Sequence, residues 1–286
     1  MWWPVAKRSS PLETMPVSPF ARQTRWGLAV LAGAILAFLY LPIAFLILFS
    51  FEVADTPGFP ITGLTTHWYE VMLSDSAIHT ALLNSVVVAV IVAFLATVIG
   101  TMAAFALVRG GSRFAGTSRL LFTLPIMIPG VLIGIGLLIF VRRAVGLKLG
   151  LDTVIAGHLV FTTSFVVLIV AARLQGFDRR LEWAAADLGA SSRQTLRYIV
   201  LPLIAPAIIA GALLSVTLSI DEFVITFFTI GPQLTLPLYI YTQIKFGVTP
   251  EVNALATVIL VVTLAVFGLL SLLLSSGRRY RRRGSE

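Results

Sequence analysis

Residues 181–202 read LEWAAADLGASSRQTLRYIVLP, a long polar segment between two strongly apolar ones. Residues that favour helices run as far as Leu188, and Gly189 supplies the flexible backbone at which a helix can end. Ser191 or Ser192 then caps a second helix, which continues into the next apolar segment. We predict two short helices hinged at Gly189 outside the membrane, where a short amphipathic helix is suited to dock in a groove of another protein.

The apolar segments around this loop indicate an integral membrane protein. Of the 286 residues, 58% are hydrophobic and 12% are charged, which is more apolar surface than one soluble core can bury. Continuous apolar runs long enough to cross a bilayer predict six transmembrane helices, at residues 26–51, 80–108, 119–141, 153–172, 203–228 and 254–276. We therefore expect an all-α membrane protein whose helical transmembrane domain occupies residues 26–276.

The basic residues predict how the helices are oriented. Of the 21 Lys and Arg residues, 17 fall on one side of the six-span arrangement, and the exceptions are Arg142, Arg143, Lys148 and Lys245. Basic residues concentrate at cytoplasmic span ends, so we expect the tails 1–25 and 277–286 and the loop 173–202 in the cytoplasm. This asymmetry explains the net charge of +8 without nucleic acid, and it favours contact of the basic tail with the lipid bilayer.

The sequence contains no motif for catalysis. It has no cysteine, no Gly-rich phosphate loop ending in Lys-Ser or Lys-Thr, no pairing of a nucleophile with a base, and no cluster of metal-binding residues. We predict that the chain is not an enzyme and binds no metal or cofactor.

The third apolar segment contains LPIMIPGVLIGIGLLIF, with Pro125, Pro129 and three glycines. Proline removes backbone hydrogen bonds and small residues allow helices to approach closely, so we predict a kinked helix inside the bundle. Packing alone and a glycine-rich wall of a pathway explain this pattern equally well. His158, near the start of the fourth segment, is interpreted as a packing residue rather than a proton carrier.

The polar loop resembles a signature of known transporters. The loop matches, at the right intervals, the cytoplasmic loop of ABC importer permeases at six positions: Ala184, Ala185, Gly189, Ile199, Leu201 and Pro202. That family's pattern is Glu-Ala-Ala, three residues, Gly, nine residues, Ile, one residue, Leu-Pro. The resemblance implies a type I importer permease fold and a coupling helix that fits a cleft on an ATP-hydrolysing subunit.

One residue of this signature departs from the family. Its glutamate falls at Trp183, whereas Glu182 stands one residue earlier and about 100° around the helix. We keep Glu182 and Trp183 among the ATPase-coupling residues, although Glu182 does not inherit the contacts of the family's acid.

The carboxy-terminal third resembles one particular group of these permeases. The runs SIDEFVITFFTIG at 219–231 and TLPLYIYTQIKFGVTPEVNALAT at 235–257 look like the second permease subunit of spermidine/putrescine importers. This implies a heterodimer with a second homologous permease, two copies of a cytoplasmic subunit that uses ATP and magnesium, and an external solute-binding protein. The expected location is the bacterial inner membrane, and the expected cargo is a small cationic solute, spermidine or putrescine. Another small organic solute is the alternative.

Two adjacent acids are the main candidates for contact with such a solute. Counting from Leu203 at about 1.5 Å per residue places Asp221 roughly 27 Å along its span, near the outer edge of the hydrocarbon. Acids there are candidate functional residues, and a cation stabilises carboxylates at the negative end of a helix dipole. Neutralisation of Asp221 and Glu222 by Arg142, Arg143 or Lys245 is the structural alternative. The remaining candidates for the pathway are Asn84, Thr226 and Tyr239.

Two other classes of protein remain to be distinguished. An ion-coupled secondary transporter or channel would show inverted repeats and charged residues at mid-span, and neither pattern is convincing here. A structural or regulatory membrane subunit would leave transport unchanged when the pathway residues are replaced. Co-purification with an ATPase separates the importer from the ion-coupled transporter.

Overall fold

The computed structural model describes residues 19–110 and 115–283, and all regular elements in this part of the chain are helices. The helices, in chain order, are α1 Pro19–Phe49, α2 His67–Ser74, α3 Ser76–Arg109, α4 Ala115–Met127, α5 Gly130–Ile139, α6 Leu151–Gln175, α7 Arg180–Asp187, α8 Ser192–Thr195, α9 Leu201–Asp221, α10 Val224–Thr229, α11 Leu236–Phe246 and α12 Pro250–Arg283. Single π-helical turns occupy Phe140–Val145 and Leu196–Val200. The prediction of an all-α protein is confirmed.

Several of these helices are long and apolar enough to cross a bilayer. Four qualify alone within the described residues, at 26–49, 76–109, 151–175 and 192–221. The pair 120–127 and 130–145, bent by 100°, adds a fifth if it forms one span. The kink predicted in the proline-rich third segment is therefore confirmed. The start of α12 contributes a shorter apolar stretch, Pro250–Val266.

The ends of the chain differ in detail from the predicted tails. Helix α1 begins at Pro19, inside the segment 1–25 that we expected to precede the first span. Residues 1–18 of that tail, and 284–286 of the basic tail 277–286, lie outside the described residues. The chain divides into two compact units, one of residues 70–252 and one that contains the segments on either side of it.

The core of the central unit lies between α3, α6 and α9. Ala96 and Ala104 of α3, Val166 and Val170 of α6 and Ile204 of α9 pack together and are fully buried. Glycine allows the close approach of these helices: a Cβ on Gly100 would lie 2.7 Å from the Cβ of Val166. The small residues of the apolar segments thus pack helix against helix.

The fifth predicted span, 203–228, is wrong at its carboxy-terminal end. Helix α9 stops at Asp221, Glu222 is extended with ψ at 104°, and the short helix α10 begins at Val224. Helix α10 packs against α5 and α6 instead of continuing the span. The adjacent acids Asp221 and Glu222 stand at the break, but strongly apolar residues resume directly after them, so the sequence predicts one continuous span.

Candidate functional site

The break at Gly189 has the geometry of a glycine C-cap. Gly189 has a φ of +83°, in the left-handed region that favours glycine. The Ala190 amide donates to the Ala185 carbonyl at 2.9 Å, and the Gly189 amide donates to the Ala186 carbonyl at 2.9 Å. These two bonds form a Schellman motif, which satisfies carbonyls left free where α7 ends. The predicted hinge between two short helices is therefore confirmed.

Ser191, rather than Ser192, caps the second helix. The Ser191 hydroxyl accepts from the Gln194 amide, and the Gln194 side chain accepts from the Ser191 amide at 2.8 Å. This reciprocal capping box starts α8. The π-helical turn 196–200 then joins α8 directly to α9. The loop is therefore connected to the membrane-spanning helix α9 by continuous helix.

The loop exposes large apolar side chains at its surface. Trp183 is 65% exposed and Leu188 is 89% exposed, whereas Ala185 on the inner face of α7 is buried. Ala184 and Gly189 are also exposed, as are Leu201 and Pro202 at the start of α9, while Ile199 is half-buried. A tryptophan and a leucine in one short segment with so little cover are typical of an interaction surface.

Glu182 points the other way, into its own chain. Its two carboxylate oxygens accept from the Arg109 guanidinium at 2.9 and 2.5 Å. The guanidinium also lies over two aromatic rings, 5.4 Å from the centroid of Phe105 and 5.7 Å from that of Phe177. Arg109 is the last residue of α3. In the sequence, Arg109 is only one of the basic residues that predict orientation, and nothing pairs it with Glu182, which lies 73 residues away.

A second polar group forms at the break between α9 and α10. The Ile225 amide donates to a carboxylate oxygen of Glu222 at 2.8 Å, and the Thr226 hydroxyl donates to the Glu222 carbonyl at 2.9 Å. His158 lies 2.9 Å from that same hydroxyl through Nε2, and 2.9 Å from the Ser219 hydroxyl through Nδ1. This supports the interpretation of His158 as a packing residue with both ring nitrogens satisfied.

The hydrogen bonds at this break have a defined direction. Because the single hydrogen of Thr226 is given to the Glu222 carbonyl, Thr226 must accept from Nε2 of His158. A neutral imidazole then accepts at Nδ1, and Ser219 is the donor there. A chain of hydrogen bonds runs from Ser219 through His158 and Thr226 to Glu222, and all three side chains before Glu222 are buried.

Asp221 differs from its neighbour in having no partner. Its side chain is exposed, and no hydrogen bond or ion pair to it occurs within the described residues. The single ion pair in this part of the chain joins Arg109 to Glu182, so Arg142, Arg143 and Lys245 do not neutralise Asp221 here. An unpaired carboxylate at the carboxy-terminal end of a helix meets the negative end of the dipole, which favours a nearby cation.

The other two pathway candidates, Asn84 and Tyr239, form hydrogen bonds that fix α11 and the segment before it. The Asn84 side chain donates to the Leu234 carbonyl at 2.9 Å. The Tyr239 hydroxyl donates to Asp75 at 2.8 Å and accepts from Gln243 at 2.8 Å. The structure brings Thr226 together with Glu222, but it places neither Asn84 nor Tyr239 in hydrogen-bond contact with them.

Two acids on the predicted outer side have shifted pKa values. Hydrogen bonds from the Thr62 hydroxyl at 2.7 Å and the Thr62 amide at 2.9 Å lower the pKa of the buried Glu52 carboxyl. Burial raises the pKa of Glu251, and the nearby charge of Asp75 raises it further. Glu52 is therefore held by Thr62 of its own loop, and the charge of Asp75 acts on Glu251.

Comparison with known proteins identifies related sequences. The family model described as "Binding-protein-dependent transport system inner membrane component" matches residues 96–280. The "Spermidine/putrescine transport system permease protein PotC" of Escherichia coli (strain K12) is 43% identical over 237 residues, covering 82% of this chain and 88% of that protein. The "Putrescine transport system permease protein PotI" of the same strain is 39% identical over 231 residues, covering 78% and 82%.

Solved structures with the same fold come from ABC transporters. A chain of a bacterial ABC transporter involved in the import of the acidic polysaccharide alginate aligns with a TM-score of 0.71 at 17% identity, covering 90% of this chain and 99% of that one. A chain of the MetNI methionine ABC transporter aligns with a TM-score of 0.54 at 19% identity, covering 68% and 95%. At these identities the likeness establishes the fold alone.

Proposed function

Because the chain belongs to the family of binding-protein-dependent transport system inner membrane components, we propose that it is the permease subunit of an ATP-driven importer. It forms half of a translocation pathway for a small cationic solute and couples to an ATPase through residues 181–202. The observation that carries this proposal is the exposure of Trp183 in α7 and of Leu188 at its C-cap. The chain itself is a non-catalytic subunit.

The assembly follows from what one permease chain lacks. A second homologous permease completes the pathway as a heterodimer, and two copies of a cytoplasmic subunit use ATP and magnesium. An external solute-binding protein delivers the cargo. Closure of the ATPase pair moves the loop 181–202 as a rigid lever and switches the permease pair from inward-open to outward-open.

The proposed topology has six spans in the inner membrane, with both termini in the cytoplasm. Helices α1, α3, α6 and α9 each form one span, the bent pair of α4 and α5 forms the third span in order, and α12 forms the sixth. The distribution of Lys and Arg supports this orientation because 17 of the 21 lie on the side proposed to be cytoplasmic. The same orientation places the coupling loop next to the ATPase.

The proposed cargo is a polyamine, spermidine or putrescine. The named relatives that share about 40% of their residues with this chain are permeases of spermidine/putrescine and putrescine transport systems. Asp221 supplies an exposed carboxylate, unpaired within the described residues, that complements an alkylammonium group. If Asp221→Asn left polyamine uptake unchanged in a normally assembled complex, direct contact with Asp221 would be ruled out.

The importer proposal is tested by purifying the chain together with the products of neighbouring genes. We expect an ATPase to co-purify, and Trp183→Ala to reduce the amount recovered. Phe246→Ala is the matched control, since Phe246 is 84% exposed and lies on the side proposed to be external. Transport of solute without any ATPase would contradict the proposal.

A further inference from the structure

Helix α3 connects the coupling loop to a distant group of polar contacts. It contains 34 residues without interruption, from Ser76 to Arg109, and is therefore about 51 Å long. Its last residue, Arg109, holds Glu182 of α7. The first half of α3 contains the residues that form hydrogen bonds with the segment 234–239. A single rigid element thus has specific polar contacts at both ends.

The contact at the Arg109 end is stronger than an ordinary surface ion pair. Exposed pairs contribute little because both side chains are solvated and mobile. Here the guanidinium presents two nitrogens to the two oxygens of Glu182, while Phe105 and Phe177 flank it. The Arg109 and Glu182 side chains are 25% and 23% exposed, beside a cleft of about 330 Å³. Two-point binding and stacking fix α7 in both distance and angle.

The contacts at the other end are made to backbone groups. Asn84 donates to the Leu234 carbonyl at 2.9 Å, and the Ser85 hydroxyl accepts from the Leu236 amide at 2.8 Å. Asp75, which caps the first turn of α3, accepts from the Tyr239 hydroxyl. A shift of α3 along its axis would therefore displace the backbone of residues 234–236.

We propose that Arg109 is a positioning residue that ties the coupling helix α7 to α3, and that α3 carries the movement of α7 to residues 234–239. This inference rests on the proposed importer function. In this arrangement Glu182 is bound within its own chain, while Trp183 on the outer face of α7 meets the ATPase. The departure from the family's glutamate position thus gives Glu182 an internal role.

The experiment measures solute uptake per ATP hydrolysed by the complete complex in proteoliposomes. We expect Glu182→Gln and Arg109→Gln each to lower this ratio about three- to tenfold, and the double variant to be no worse than either single one. The exchange Arg109→Glu with Glu182→Arg should recover part of the loss. Arg109→Lys should be intermediate because lysine keeps the charge but loses the two-point contact.

Arg173→Gln is the matched control. Arg173 also lies at the end of a long helix on the same side, but its guanidinium donates to the Leu203 carbonyl of α9 and not to α7. We expect it to leave the ratio unchanged. A change in Arg173→Gln equal to that in Arg109→Gln would overturn the proposal, because any lost cation would then have the same effect.

The outcomes separate this proposal from the importer function. An unchanged ratio in Glu182→Gln and Arg109→Gln would show that the Arg109–Glu182 ion pair does not transmit movement, and would overturn the proposal. Loss of the ATPase from the Glu182→Gln complex, with Arg109→Gln still assembled, would place Glu182 at the subunit interface and also overturn it. A wild-type complex without any ATPase would instead contradict the proposed function itself.

Discussion

Helices are broken at Gly189 and again at Glu222, and the two breaks have different structural causes. At Gly189 the backbone turns through a positive φ, and a Cβ placed there would meet nothing within 4 Å. At Glu222 no unusual φ is needed, but the next helix lies in a close-packed position. A Cβ on Gly157 of α6 would lie 2.5 Å from the Cγ2 of Ile225.

The break at Gly189 is determined by local hydrogen bonds, whereas the break at Glu222 depends on tertiary contacts. The loop at Gly189 depends on hydrogen bonds between residues at most five apart. The break at Glu222 depends on His158, more than 60 residues earlier in the chain, and on glycine surfaces of two other helices. Substitutions near Gly189 should therefore have small effects on stability and larger effects on coupling. Substitutions near Glu222 should first affect the packing of the bundle.

The largest loss of stability is expected for Gly157→Val. The added side chain would overlap Ile225 of α10 and the Cδ2 of Leu137, which lies 3.2 Å from the position of a Cβ. Overpacking of a buried contact costs about 3 kcal/mol at the upper end of the usual range. The measurement is the free energy of unfolding of the purified chain in mixed micelles.

Gly136→Val provides the control for this test. Gly136 is also a glycine of an apolar helix, but a Cβ there would meet nothing within 4 Å. We expect its cost to stay below about 1 kcal/mol. An equal loss of unfolding free energy at the two glycines would mean that α10 does not pack against Gly157.

The second largest effect is expected for Thr226→Val, which keeps the shape of a fully buried side chain and removes its hydroxyl. The Glu222 carbonyl and Nε2 of His158 would both lose their partner. An unsatisfied buried polar group costs about 2 kcal/mol. The same unfolding measurement applies, and Thr226→Ser should retain most of the wild-type stability. If Thr226→Val were as stable as wild type, the hydrogen-bond chain would not hold the break.

The contrast also explains what the sequence could predict. The hinge at Gly189 and the cap near Ser191 follow from residue types within one short segment, and so does the kink near Pro129. Hydropathy did not predict the end of α9 at Asp221, because strongly apolar residues resume directly after the acids Asp221 and Glu222 and the contacts at the break come from other helices. The Arg109–Glu182 pair gave no signal for the same reason. Local hydrogen bonding is encoded in neighbouring residues, whereas tertiary contacts need the fold.

A smaller loss of stability is expected for Gly189→Ala. The substitution has space, but its left-handed backbone costs about 1 kcal/mol in a residue with a Cβ. Asparagine tolerates this region better, so Gly189→Asn should be closer to wild type. ATP hydrolysis stimulated by the solute-loaded binding protein should fall further in Gly189→Ala than in Gly189→Asn. A stability loss as large as that of Gly157→Val would show that the loop is not locally determined.

The smallest effect is expected for Ser191→Ala, which removes the cap of α8. An alanine at the N-cap costs about 0.5–1 kcal/mol, and Ser191 is exposed and bonded mainly to Gln194. Hydrogen exchange should therefore accelerate at the amides of α8 and remain unchanged at Ile225, because the cap is local. Ser191→Asp keeps an acceptor and should restore protection, whereas Ser192→Ala, one residue further on, should have no effect. Faster exchange at Ile225 in Ser191→Ala would link the two interruptions and contradict their independence.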